Sequence, residues 1–340
     1  MPNEHATRPP VAETLRLHER AEACGKVILL GEHSVVYGHP ALAAGLARGL
    51  ELHATPLDQP SDPIWLEIPA WDIDLRLEAD SEHPVARACL EVLTHCDGPL
   101  RGWRIRGESR IPARAGLGSS AALCVALARL VLGPEGELEH VVEASMAGER
   151  VFHGNPSGID SEVAARGGVL AFVRQRSGDA PGSQIEAVAL DHPLQLVVMP
   201  SGVPRQTADL VARVRQRRDR LPTVIDPVLA ALGALVHRGR AALERGELDT
   251  LAELTRVAHS LLAALDVGHP ALDRLCSAAV RHGARAAKLT GAGGGGCCFA
   301  LCESPSQSAA VIAGLEAEFP ALAADPATRP FAIEVDPSKP

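Results

Sequence analysis

Reactive side chains gather in four stretches of this chain. The most telling is Pro112-Ala113-Arg114-Ala115-Gly116-Leu117-Gly118-Ser119-Ser120-Ala121-Ala122. Before it, Trp103-Arg104-Ile105-Arg106 alternates as a strand does; after it, Ala121 to Leu132 reads as a buried helix broken only by Arg129. Backbone N–H groups of a glycine loop can approach an anion closely, and a helix start adds unpaired donors and the positive end of a dipole. Ser119 and Ser120 either cap that helix or offer a hydroxyl to a metal ion. A second stretch runs Cys24-Gly25-Lys26-Val27-Ile28-Leu29-Leu30-Gly31-Glu32-His33. Its buried strand leaves Lys26, Glu32 and His33 flanking the ends, either as a snorkelling lysine and a solvated turn pair or as the lining of a cleft. In the third, Glu149 lies near the end of a helix, read as a surface acid paired with Arg150 or its neighbours, and Ser157 and Asp160 have the spacing of a helix start. Asp160 is then either a first-turn acid that suits the helix dipole or a cleft-facing carboxylate that accepts a proton. The fourth, Gly291-Ala292-Gly293-Gly294-Gly295-Gly296, is longer than a hairpin turn requires and suggests close approach by a ligand or another loop.

The elements that must position these groups follow from periodicity. Residues 57–80 read as a strand pair, Pro84–Leu93 and Leu138–Phe152 as helices, and Val169–Val173 and Ile185–Leu190 as strands. In the second half, Leu194–Met199 reads as a buried strand, followed by an arginine-rich helix from Ala208 and apolar-periodic helices over Val228–Leu243, Leu248–Leu262 and Ala271–Val280. Strands at Ala286–Leu289 and Cys297–Leu301, a helix over Gln307–Phe319 and a strand at Phe331–Val335 complete an α+β sandwich, an antiparallel hairpin with helices on one face. Residues 1 to about 20 read as a loose leader, and the boundary between two domains is expected near Asp191–Pro193.

Composition narrows the chemistry. The chain has 340 residues and a formal net charge of −9, which argues against a nucleic-acid or acidic-membrane partner but leaves room for a locally basic anion site. With aromatic residues at 3%, stacking platforms for bases are not expected. The eight cysteines include no Cys-x-x-Cys pair and most sit in apolar runs, which favours buried free thiols over disulfides or zinc. No signal peptide or membrane-spanning run is read, so the expected address is cytoplasmic.

Together the four stretches resemble the GHMP kinase superfamily, and within it the mevalonate kinases. Gly31-Glu32-His33-x-Val35-Val36-x-Gly38, Gly116-Leu117-Gly118-Ser119-Ser120-Ala121, Gly154-Asn155-Pro156-Ser157-Gly158-Ile159-Asp160 and Leu289-Thr290-Gly291-Ala292 stand in the family's order, and the first and third strings are particular to that branch. Three positions depart from the pattern: Cys24 replaces a usual proline, Arg114 a frequent glycine and Gly202 a frequent lysine.

The resemblance implies a two-domain α+β architecture, with a ribosomal-protein-S5-like N-terminal domain over residues 20–190 and a ferredoxin-like C-terminal domain over 191–338. It implies transfer of the ATP γ-phosphoryl group to the primary hydroxyl of mevalonate, with ATP as co-substrate and Mg²⁺ as cofactor. Ser109, Arg114, Ala115, Gly116, Leu117, Gly118, Ser119 and Ser120 would hold ATP with Lys26, and Ser120 and Glu149 would bind the metal. Asp160 would act as base beside Lys26, and Glu32, His33 and Thr207 would orient mevalonate with Asp160. A homodimer is the assembly the family implies. The rivals are a kinase for a related small alcohol, such as phosphomevalonate or an isoprenoid precursor, and a non-catalytic sensor on the same fold. The sensor would have lost the base or a metal ligand, and Lys26, Ser120, Glu149 and Asp160 are all present.

Overall fold

The longest strand, β2 (Pro40–Pro56), organises the first half of the chain, and its composition hides it. Rich in alanine, leucine and glycine, it alternates poorly and is absent from the elements expected above; sheet pairing overrides its local preference. In the computed structural model, which describes residues 16–112, 115–154, 156–174, 183–204 and 207–336, β2 runs antiparallel to β1 (Arg20–Leu30). It also pairs through Leu50–Pro56 with β5 (Trp103–Ser109) and through Pro40–Ala44 with β6 (Val169–Arg174). Beyond β5 lies β3 (Ile64–Ile68), among the described residues the one parallel neighbour in this sheet, and then β4 (Ile73–Leu77); β7 (Ser183–Ala187) follows β6. Strand β1 starts at Arg20, seven residues before the apolar run Val27–Leu30 that announces it. Residues 1–15 of the expected leader lie outside the described residues.

Helices α1 (Pro84–His95), α2 (Ser119–Leu132), α3 (Leu138–His153) and α4 (Ile159–Arg166) pack against one another and this sheet. Helix α2 is buried on nearly every side, as its apolar sequence requires. Its one charge is put to structural use: Arg129 donates from Nη1 to the Glu22 carbonyl on β1 at 2.7 Å and from Nη2 to the Ala165 carbonyl on α4 at 2.6 Å. A single guanidinium thus ties together the two elements that carry Lys26 and Asp160.

The second half builds a four-stranded antiparallel sheet in the order β11 (Phe331–Val335), β8 (Leu194–Pro200), β10 (Cys297–Cys302), β9 (Ala286–Thr290). Helices α5 (Thr207–Arg220), α6 (Pro222–Glu244), α7 (Leu248–Ala264), α8 (Pro270–Arg281), α9 (Pro305–Glu318) and the short α10 (Pro320–Ala324) complete it. Helix α6 begins six residues before the expected start at Val228 and runs through Pro227, which reads in sequence as a helix stop. The sandwich expected from the element order is present, as an α+β fold with one mixed and one antiparallel sheet. All eight cysteines are free thiols, seven of them buried. Among the described residues, no helix is long and apolar enough to cross a membrane.

Candidate active site

The site begins where β1 touches the glycine–serine loop. The Lys26 backbone N–H donates to the Leu117 carbonyl at 2.7 Å, and Leu117 is wholly buried beneath the loop. Gly118 adopts φ +77°, and a Cβ there would stand 3.2 Å from the Lys26 Cβ, so both the backbone and the space call for glycine. Gly118 is the N-cap of α2 and makes no side-chain cap bond, so the first-turn N–H groups and the dipole face the loop without a capping oxygen from that residue. Ser119 and Ser120 are half-buried at this helix start.

Asp160 reaches the same place from α4. Gly158 caps that helix at φ +88°, and Asp160 stands in its first turn, where the dipole favours a negative charge. Its Oδ1 lies 2.9 Å from Lys26 Nζ. The ammonium is buried, whereas the carboxylate keeps a third of its surface open, so the pair has one sealed side and one accessible side. A bond from Ser145 Oγ to Ser161 Oγ, 3.0 Å long and buried, braces α3 against α4.

Glu149 comes in from α3 and is 2% exposed. Burial pushes its carboxyl up to about 7; the Asp160 charge adds to the rise, while a hydrogen bond from Ser120 and the Lys26 charge oppose it. Oε2 lies 3.8 Å from His153 Nε2, which is itself 3.4 Å from Ser120 Oγ. Oε1 is buried with no hydrogen-bond partner. An orphaned carboxylate oxygen beside a serine hydroxyl and close to an anion-binding loop fits a hard divalent cation that takes its other oxygens from phosphates and water. Among the described residues no cluster of three or more His, Cys, Asp or Glu could hold a metal unaided. His153 is the member of this group that sequence reasoning passes over, although its i,i+4 spacing from Glu149 on α3 was there to be read.

The other expected residues are distributed as follows. Ser109 closes a turn at the end of β5: its Oγ donates to the Ile111 carbonyl at 2.8 Å and accepts from the Ile111 N–H at 3.2 Å. Ala115 and Gly116 lead half-buried into the loop, and Arg114 lies outside the described residues. His33 is 5% exposed, has φ 59°, and donates from Nε2 to the Ala292 carbonyl at 2.9 Å. Glu32, expected at the substrate, is 1% exposed, and its Oε1 accepts from Lys288 Nζ on β9. Thr207 is the exposed first residue of α5. The glycine loop between β9 and β10 approaches other loops as closely as its composition suggested. A Cβ on Gly293 would fall 2.0 Å from the Val267 carbonyl oxygen, and one on Gly295 2.6 Å from that of Val203. The same loop therefore grips His33 through Ala292 and packs on the segment that leads to Thr207.

This geometry can neutralise and orient a polyphosphate at a helix start, beside a lysine–carboxylate pair able to take up a proton. Family models agree with it: the GHMP kinase N-terminal domain matches residues 84–168, and the GHMP kinase C-terminal domain matches residues 240–321. The mevalonate kinase of Thermococcus gammatolerans is 33% identical over 324 residues, covering 86% of this chain and 93% of that protein. The mevalonate kinase of Pyrococcus horikoshii is 35% identical over 306 residues, covering 83% and 88%. Among solved structures, L. major mevalonate kinase in complex with R-mevalonate superposes with a TM-score of 0.82 at 28% identity, covering 96% of this chain and 99% of that one.

Proposed function

The chain belongs to the mevalonate kinases of the GHMP kinase family, and we propose on that premise that it phosphorylates (R)-mevalonate on its primary hydroxyl at the expense of ATP. The observation that carries this reading is the Lys26–Asp160 pair at 2.9 Å, standing against the loop that leads into α2. Residues 20–190 form the nucleotide- and substrate-binding domain in this reading and 191–338 the second domain. The first sheet's strands fall within Arg20–Ala187 and the second sheet's within Leu194–Val335.

The loop from Arg114 to Ser120 binds the phosphates through backbone N–H groups, with Ser109 near the nucleotide and Lys26 facing the transferred group. Asp160 takes the proton of the attacking hydroxyl as that oxygen bonds to the γ-phosphorus. The bond to the β-bridging oxygen breaks and ADP leaves. Lys26 balances the charge that gathers on the phosphoryl oxygens. Ser120 and Glu149 are the residues that would hold Mg²⁺, which would neutralise phosphate charge. His33 and Thr207 orient mevalonate, with Glu32 behind them. A cytoplasmic homodimer completes the proposal, on the family resemblance alone.

The test is a coupled ADP-release assay with mevalonate, phosphomevalonate, galactose and homoserine as acceptors. Mevalonate should be the preferred acceptor, and Asp160→Asn should lose on the order of 10²–10⁴-fold in kcat. Turnover near wild type in that variant would remove Asp160 from the role of base.

A further inference from the structure

Lys288 is a lysine in the middle of a strand whose five residues are all buried, and it is 0% exposed itself. Its ammonium meets Glu32, 256 positions earlier, and lies 5.2 Å from the centre of the Phe299 ring. A buried ion pair is weak grounds for stability, because packed apolar side chains of similar volume often serve as well. Its position is therefore the informative fact.

The pair is one of three contacts that β9 and the turn after it make to residues 28–33. Residues two apart on a strand share a face. Lys288 holds Glu32. Thr290 Oγ1 donates to the Ile28 carbonyl at 3.0 Å and accepts from the Ile28 N–H at 2.9 Å. The Ala292 carbonyl takes the His33 Nε2–H. What they hold is the turn where β1 ends. Gly31 there has φ 99° and His33 has φ 59°, a backbone conformation that a residue with a side chain adopts only under constraint. One Glu32 oxygen is committed to Lys288 and the other is buried without a partner. The residue is thus enclosed, with its anchor on β9.

We propose that Lys288 is a positioning residue for the acceptor site: through Glu32 it fixes the strained turn that presents His33, and Glu32 acts on the substrate only by way of that turn. The inference deepens the reading of this site as the mevalonate site and rests on it. It assigns the second domain a part in holding the acceptor, separate from the ATP loop at Gly116–Ser120.

The experiment is a double-mutant cycle on the full chain, with mevalonate and ATP varied separately. Lys288→Met and Glu32→Gln should each raise the mevalonate KM tenfold or more and leave the ATP KM within twofold. The double variant should be no worse than the worse single one. A mevalonate KM within twofold of wild type in Lys288→Met overturns the proposal, and so does a double variant whose effect is the product of the two single effects, since Glu32 would then act independently of Lys288. If Lys288→Met does not fold, the double variant, which buries no charge, stands in its place with the same expected rise and the same refuting result. A second readout needs no substrate: the ¹⁵N shifts of the His33 ring, identified by their loss in His33→Gln, should move in Lys288→Met, and unchanged shifts overturn the proposal. Wild-type protein inert toward mevalonate would instead sink the parent reading, and the His33 signals would still decide this one.

Discussion

Replacing Glu149 by glutamine separates what the carboxyl does for stability from what it does for the reaction. In the ligand-free protein, burial raises this group from the ordinary 4.5 to about 7. The folded state therefore holds the proton more tightly than the unfolded state does. The stabilisation is complete below pH 4.5 and is lost as the pH rises through 7. At about 1.4 kcal/mol per pH unit, the interval corresponds to about 3 kcal/mol. Glutamine keeps the shape of the protonated acid and cannot ionise. Urea denaturation of EDTA-treated protein from pH 4 to 8.5 should find the two proteins alike at the acid end, with Glu149→Gln more stable by about 3 kcal/mol at pH 8. Because every other titrating group is common to both proteins, the difference curve reports this residue. Parallel curves across the range would refute the argument that an ionised Glu149 is poorly accommodated without a cation. In the ADP-release assay the same substitution should raise the Mg²⁺ concentration needed for half-maximal rate. An unchanged requirement would take Glu149 out of the metal site.

Two further outcomes concern β9 and the glycine loop that follows it. Gly293→Ala must combine φ +80° with a Cβ 2.0 Å from a carbonyl oxygen, and the obstacle is backbone; a loss of about 2–4 kcal/mol is expected by urea denaturation, and an unchanged midpoint would show that the loop is not locked against Val267. Thr290→Val keeps the volume but drops both bonds to Ile28, and should cost about 1–3 kcal/mol, with Thr290→Ser recovering most of it. Equal stability of the Val and Ser variants would mean the hydroxyl contributes nothing.

The parts legible in the sequence were those whose physics is local. A run from Gly116 to Ser120 followed by an apolar helix states both a loop and a helix start, and α2 begins at Ser119. Asp160 three residues after Ser157 marks the start of α4 in the same way, although Gly158, not Ser157, is the cap. Lys26 and Asp160 meet where Arg129 ties β1 to α4. What stayed hidden depends on distant partners. Strand β2 alternates only at its end, from Leu50 to Thr55; over residues 40–49 it is a strand by virtue of β1 and β6. Glu32 reads in sequence as a solvated turn residue or as one that orients the substrate, and its buried pairing with Lys288 from the other end of the chain is in neither reading. The lone lysine amid Ala286–Thr290 was the available signal, and pairing it with Glu32 needed the fold.

The bonds between Ile28 and Thr290 join residues 262 apart in the chain. During synthesis the N-terminal sheet emerges whole long before β9 leaves the ribosome, so the turn at His33 waits unfinished for most of translation. A nascent chain cut short ahead of β9 would carry the glycine–serine loop, Lys26 and Asp160, yet lack the contacts that Lys288, Thr290 and Ala292 make to Glu32, Ile28 and His33. Such a fragment would keep the residues proposed for the nucleotide while the end proposed for the acceptor stayed unanchored.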